Sequence, residues 1–185
     1  MFSTVSVALL MAFIALKKNY AATTDFATNH ADQMRIADYL ALDFRRAVKI
    51  DPPVTNAQPV TNDVSVYVPS YYDSTPAHLL QEPVLDSNGV VYYGAVGSSV
   101  KIHYYLSGTV IYRQEGSDPA IVVARDVQDF TFTAQDSYTG ADAGKVIATK
   151  ITFRPTFRSA AGSEDVRAAT AFFNTTLLRN TGNVY

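Results

Sequence analysis

The first third of the chain carries two hydrophobic patterns in succession. Val5 to Leu16 reads VSVALLMAFIAL, with only Ser6 polar and no charge, and Lys17-Lys18 follow it directly. No Gly or Pro occurs from residue 2 to residue 51, so nothing in this stretch interrupts a helix. Beyond Lys18 the apolar residues Met34, Ala37, Leu40, Ala41, Phe44 and Val48 recur at spacings of three and four, which predicts one packing face toward the rest of the molecule. Asp32 with Arg35, and Asp43 with Arg46, are spaced to pair at i,i+3 on the other face. Asp51-Pro52-Pro53 should end the helix, because proline lacks an N–H donor and disfavours helical geometry before it. A continuous helix to that point is about 70 Å long at 1.5 Å per residue. Its first third is apolar all round and its remainder amphipathic.

The period then changes to two. Residues 51–62 (DPPVTNAQPVTN) read as a connector, and DVSVYVPS (63–70) alternates, with Val64, Val66 and Val68 on one face. VVYYGAV (90–96) is apolar enough for a strand. SVKIHYYLSGTVIYRQE (99–115) is a hairpin: Val100, Ile102, Tyr104 and Leu106 alternate with Lys101, His103 and Tyr105, and Gly108 supplies the positive φ of a tight turn. AIVVARDV (120–127), QDFTFTAQ (128–135), VIATKITFRPTF (146–157) and ATAFFNTTLLRN (169–180) complete a set of short strands. A long helix followed by antiparallel strands predicts an α+β fold in which the helix packs on a β-sheet head. The expected division is a helix at 1–50, a connector at 51–62 and a β-rich head at 63–185.

The apolar run has a length problem. Val5–Leu16 spans about 18 Å as a helix, against roughly 30 Å of bilayer hydrocarbon. Membrane residence therefore calls for tilt, local thinning or residues upstream. A cleavable secretory signal has an apolar core of this length, but the basic residues here follow the core instead of preceding it. The third reading is a buried core helix of a soluble domain.

Composition removes several function classes. The formal net charge is −2, and no Lys/Arg cluster is long enough to track a phosphate backbone, so no nucleic-acid partner is expected. With no cysteine there are no disulfides, thiolate nucleophiles or cysteine-held metals. His30, His78 and His103 lack the paired spacing of a metal site, and no Gly-x-Ser-x-Gly elbow or phosphate-binding loop is present. An enzyme is not expected, and no cofactor. The loop AQDSYTGADAGK (134–145), with Asp136, Asp142 and the nearby Asp129, is a weak calcium candidate without EF-hand spacing. Tyr71, Tyr72, Tyr92 and Tyr93 offer a possible aromatic surface, although tyrosine is common in strands.

Three segments carry a resemblance to the type IV filament subunits: FSTVSVALLMAF at the start, LALDFRRA (40–47), and YYLSGTVIYRQ (104–114) followed by DVQDFTFT (126–133). In that order and spacing the chain resembles minor pilins of the PilW type and J-type pseudopilins of type II secretion. The resemblance implies a non-enzymatic subunit that assembles with other pilin or pseudopilin subunits through its N-terminal helix. It would sit in the bacterial inner membrane, with its head in the periplasm or outside the cell. Phe2 matches the position that a prepilin peptidase exposes and methylates, and Phe2, Val5, Ser6, Val7, Leu9, Leu10, Phe13 and Leu16 form the implied assembly segment. Met1 stands where the family has glycine, and Ser6 where it has glutamate. A misassigned start, a trimmed or engineered chain, and a native serine suited to a filament tip all fit that departure. The alternative is a membrane-tethered or secreted β-rich binding domain of the adhesin kind.

Overall fold

In the computed structural model the helical pattern is realised as one unbroken helix, α1 (Phe2–Arg46), of 45 residues and about 67 Å. The structure describes residues 2–52, 59–73, 76–77, 79–85, 87, 91–93, 99–134, 146–157, 166–167 and 170–177.

The helix stops short of the prolines. Arg45 and Arg46 occupy its last turn, where positive charge suits the negative end of the helix dipole. Ala47 N–H closes back on Phe44 O at 3.2 Å, and Val48 N–H then donates to Tyr67 O at 2.8 Å. Lys49–Asp51 continue as a strand, β1, paired antiparallel with Ser65–Tyr67. Pairing with the head thus ends the helix before Asp51-Pro52 has any part in it. Val48, expected on the helical packing face, lies beyond the helix and is half-buried.

The remaining strands are β2 (Val60–Thr61), β3 (Asp63–Pro69), β4 (Pro83–Leu85), β5 (Val91–Tyr93), β6 (Ser99–Ser107), β7 (Val110–Glu115), β8 (Ile121–Ala124), β9 (Val127–Ala134), β10 (Val146–Phe153), β11 (Thr156–Phe157), β12 (Val166–Arg167) and β13 (Thr170–Leu177). They form a five-stranded sheet in the order β1-β3-β6-β7-β8 and a four-stranded sheet in the order β13-β10-β9-β2, with β4-β5 and β11-β12 as separate pairs. All the strand pairings are antiparallel. The α+β architecture expected from the sequence is the one observed, with the head built on two main sheets.

Two residues with left-handed backbones mark where the chain passes between those sheets. Asn62 (φ 60) separates β2 from β3, and Asp126 (φ 55) stands between β8 and β9. Asn and Asp tolerate this region better than other non-glycine residues. Asn62 also ties the sheets together. Its N–H donates to Phe130 O at 3.0 Å, its carbonyl accepts from Leu106 N–H at 2.9 Å, and its side-chain Oδ1 accepts from Phe130 N–H at 3.0 Å. The 51–62 connector therefore contains a strand and a corner of the fold. The β6–β7 hairpin turns at Gly108 (φ +63), the first of two loop residues between the paired Ser107 and Val110, and glycine takes the positive φ needed there without strain.

The core lies between the sheets and the C-terminal half of α1. Ile36, Leu40 and Phe44 enter from the helix, and Ala47 from the residue that follows it. Val64, Val66, Val68, Ile102 and Ile111 come from the first sheet, and Phe130, Phe132, Ile147, Ile151 and Phe153 from the second. Phe44 stacks on Phe132 at 5.1 Å, and Phe130 meets Phe132 edge-on at 5.3 Å. Full burial of each such side chain contributes about 1.5–3 kcal/mol.

Candidate functional site: the junction of helix and head

The inward face of α1 differs from the one that apolar spacing predicts. Asp32, Ile36, Leu40, Asp43 and Phe44 are all buried, so two of the five inward residues are carboxylates. Both expected i,i+3 pairs form, Asp32 with Arg35 at 3.3 Å and Asp43 with Arg46 at 2.8 Å. Their aspartates, however, face the head and not solvent. Met34 is the converse. Expected to pack on the head, it is 51% exposed, while Ile36, two residues on, is 1% exposed. At 3.6 residues per turn, positions i and i+2 lie on nearly opposite sides of a helix. Leu40 and Phe44 pack as expected, and Ala37 and Ala41 flank them half-buried.

Asp43 is the centre of a buried polar cluster. Tyr104 O–H donates to its Oδ2 at 2.5 Å, and Arg113 approaches side-on, Nε to Oδ2 at 2.8 Å and Nη2 to Oδ1 at 3.3 Å. Arg46 Nη2 adds a bond to Oδ1 at 2.8 Å. Both carboxylate oxygens are thus engaged by donors from the helix and from both strands of the β6–β7 hairpin. Arg113 is held further by Glu115 at 2.9 Å, and its guanidinium lies 5.1 Å from the centre of the Tyr39 ring. Burial, followed by the charge and hydrogen bond of Asp43, pushes the Tyr104 hydroxyl well above the usual phenol range. Burial opposes the Arg113 charge, but its bonds to Asp43 and that residue's proximity outweigh this and hold its pKa above the usual guanidinium value.

Asp32 repeats the device one end further along. Its Oδ2 accepts the Arg125 backbone N–H at 3.1 Å, and the Arg35 and Arg125 guanidinium groups lie 3.3 and 3.6 Å from its carboxylate. Arg125 stands at the corner where β8 gives way to β9, beside Asp126. One helical carboxylate therefore grips the hairpin and the other grips the crossover between sheets. Neither role is visible from the helix sequence alone. The available signal was the pair of complementary polar residues, Tyr104 and Arg113, at inward positions of a strongly alternating hairpin.

The apolar third of α1 makes no such junction. Val5, Ser6, Val7, Leu9, Leu10, Phe13 and Leu16 are exposed; Phe2 belongs to the helix, but its side chain lies outside the described features. By length and composition this end of the helix can cross a membrane, and none of its apolar window is buried in the molecule. It is not a core helix of this fold. The calcium candidates Asp136 and Asp142 lie outside the described residues. Among the described residues no group of three or more His, Cys, Asp or Glu side chains is placed to hold a metal ion. His103 pairs with Asp63 at 2.9 Å on the outward face of the first sheet, and of the four tyrosines Tyr72 is exposed whereas Tyr71 packs against the core.

Comparison with protein-family models, with curated proteins and with solved structures returned no match.

Proposed function

We propose that this chain is a non-enzymatic minor subunit of a type IV pilus or of a type II secretion pseudopilus, held in a bacterial inner membrane and assembled through α1. The observation that carries this reading is a single helix with two distinct halves. One half is clamped to the head by Asp32, Asp43, Ile36, Leu40 and Phe44, and the other presents Val5, Leu9, Leu10, Phe13 and Leu16 to its surroundings. Apolar surface on that scale has to be covered by lipid or by other helices, and each square ångström withdrawn from water contributes roughly 25 cal/mol. Rigid attachment gives the covering a purpose, because any force on the helix is passed to the head without slack. The reading also draws support from the Asp43 cluster, which joins LALDFRRA to YYLSGTVIYRQ, two of the segments behind the resemblance.

The test uses the absence of native cysteine. A single Val7→Cys chain is co-expressed with the other pilin-like subunits of its host and labelled in membranes with a maleimide that carries a short photoreactive group able to insert into neighbouring C–H bonds; the membranes are irradiated and then extracted with alkaline carbonate. The expected outcome is carbonate-resistant membrane association and cross-links to other subunits, with retention lost in a Leu9→Asp/Leu10→Asp/Phe13→Asp variant. Recovery of both chains in the soluble fraction would defeat the proposal. Membrane retention with no subunit cross-links would move the assignment to a tethered binding domain.

A further inference from the structure

From residue 2 to residue 24 the chain carries only two charged side chains, Lys17 and Lys18. Both are cationic, and they follow the apolar run without a gap. No carboxylate stands near them on α1, because the first acidic residue of the chain is Asp25, about 10 Å beyond Lys18 along the axis. The helix differs in kind on the two sides of the pair. Before it, residues 5–16 are exposed, and all but Ser6 are apolar. After it, Thr23, Thr24 and Thr28 turn their hydroxyls back to the carbonyls of Asn19, Tyr20 and Thr24 at 2.9–3.0 Å, and none of residues 19–31 is buried. Tyr20, 76% exposed, stands within a turn of the lysines. The head first takes hold at Asp32, about 21 Å past Lys18 along the helix.

We propose that Lys17 and Lys18 bind the phosphate groups of anionic phospholipids in the leaflet on the head side, and that this contact sets the depth of α1. The inference rests on the membrane reading of the helix given above. Residues 5–16 are at home in hydrocarbon, whereas a charged ammonium is costly there, so the boundary falls between Leu16 and Lys17. Lysine suits a boundary, because its four-carbon stem lies along apolar surface while its head reaches the phosphates. Tyrosine suits it as well, with an apolar ring and a polar tip. Two positive charges with no carboxylate beside them draw negative headgroups in preference to zwitterionic ones, each lysine adding about fivefold in affinity. The attraction fades over about 8 Å at physiological salt, which leaves Asp25 and the head outside it. From that plane residues 5–16 reach about 18 Å inward, past the middle of a hydrocarbon layer of roughly 30 Å. On the other side, residues 19–31 form a stalk that holds the head about 20 Å clear of the lipid when the helix stands upright.

The chain has no tryptophan, so Leu16→Trp places a single fluorophore just inside the boundary. The full chain is reconstituted in vesicles of phosphatidylcholine and phosphatidylglycerol, with brominated acyl chains on one lipid or the other. Quenching by each then gives the preference for the anionic lipid around the helix. A preference of at least about twofold is expected at low salt. It should vanish in about 1 M salt and in Lys17→Gln/Lys18→Gln, and be kept by Lys17→Arg/Lys18→Arg. Alkaline carbonate extraction of the same vesicles tests the membrane reading separately. Chain that washes out would overturn that reading and this proposal with it. Chain that is retained but quenched equally by both lipids, or a preference that survives the glutamine variant, would overturn the headgroup contact alone.

Discussion

The Asp43 carboxylate and the Arg113 guanidinium meet side-on, with Nε–Oδ2 at 2.8 Å, although seventy residues separate them in the chain. One sits near the end of the long helix and the other on the second strand of the hairpin. Neither charge has solvent to fall back on, because both side chains are buried. Such a pair contributes little net stability over a well-packed apolar substitute, but losing one member deprives the other, in the interior, of its opposite charge across the junction. The pair therefore fixes which rotation of the helix the head accepts. A turned helix would leave a buried guanidinium without its carboxylate.

Substitution of either partner alone should be severe. Asp43→Leu and Arg113→Leu are each expected to lower unfolding free energy by at most about 3–5 kcal/mol, the cost of an uncompensated buried charge, reduced by the partners that remain: Glu115 for Arg113, and Arg46 and Tyr104 for Asp43. The double variant should lose clearly less than the two single losses added together, with a coupling of roughly 0.5–3 kcal/mol. Urea unfolding of the four proteins in the same detergent measures this cycle. Additive losses would show that the two groups are neighbours without being energetically joined.

Tyr104 gives the cluster an alkaline signature. Its folded-state proton is held above the ordinary value of 10.0 by burial and by Asp43, whereas in the unfolded chain it leaves near pH ~10. Below that pH both states keep the proton and this group adds no slope. Above it the folded state binds more protons than the unfolded one, so stability falls as pH rises. Tyr104→Phe removes that loss along with the hydrogen bond. At neutral pH the variant should be less stable by about 1.5–3 kcal/mol, as for other hydrogen bonds to charged groups, and the gap to the parent should narrow above pH ~10. Urea midpoints at neutral and alkaline pH test it, and a gap that stays constant would mean that Tyr104 ionises normally in the folded protein.

Much of the fold was legible because its elements follow strict periods. The segments 63–70 and 99–106 alternate in sequence, and Gly108 announces the hairpin turn that forms. The helix end was not legible, since the competition that stops it at Arg46 is a backbone bond from Val48 to Tyr67, which depends on where β3 lies. The junction was half legible. The acidic residues of the helix pair with arginines as their spacing suggests, but reading polar as outward misplaces Asp32 and Asp43. A buried carboxylate is stable only beside its donors, and those donors are supplied by β6, β7 and the β8–β9 corner, far away in sequence.

The orientation of the helix face can be tested by two substitutions next to each other. Ile36→Ala removes a side chain that is 1% exposed and leaves a cavity among core residues, which typically costs about 2–5 kcal/mol. Met34→Ala removes one that is 51% exposed, and surface truncations of this kind usually stay within about 0.5 kcal/mol. Apolar spacing along the sequence orders the two sites the other way, because it counts Met34 as part of the packing face and passes over Ile36. The two variants, unfolded in urea in the same detergent, therefore separate the alternatives without reference to any partner. A loss at Met34 equal to or greater than the loss at Ile36 would place the wrong side of α1 against the head, and would also remove Asp32 and Asp43 from the positions on which the junction depends.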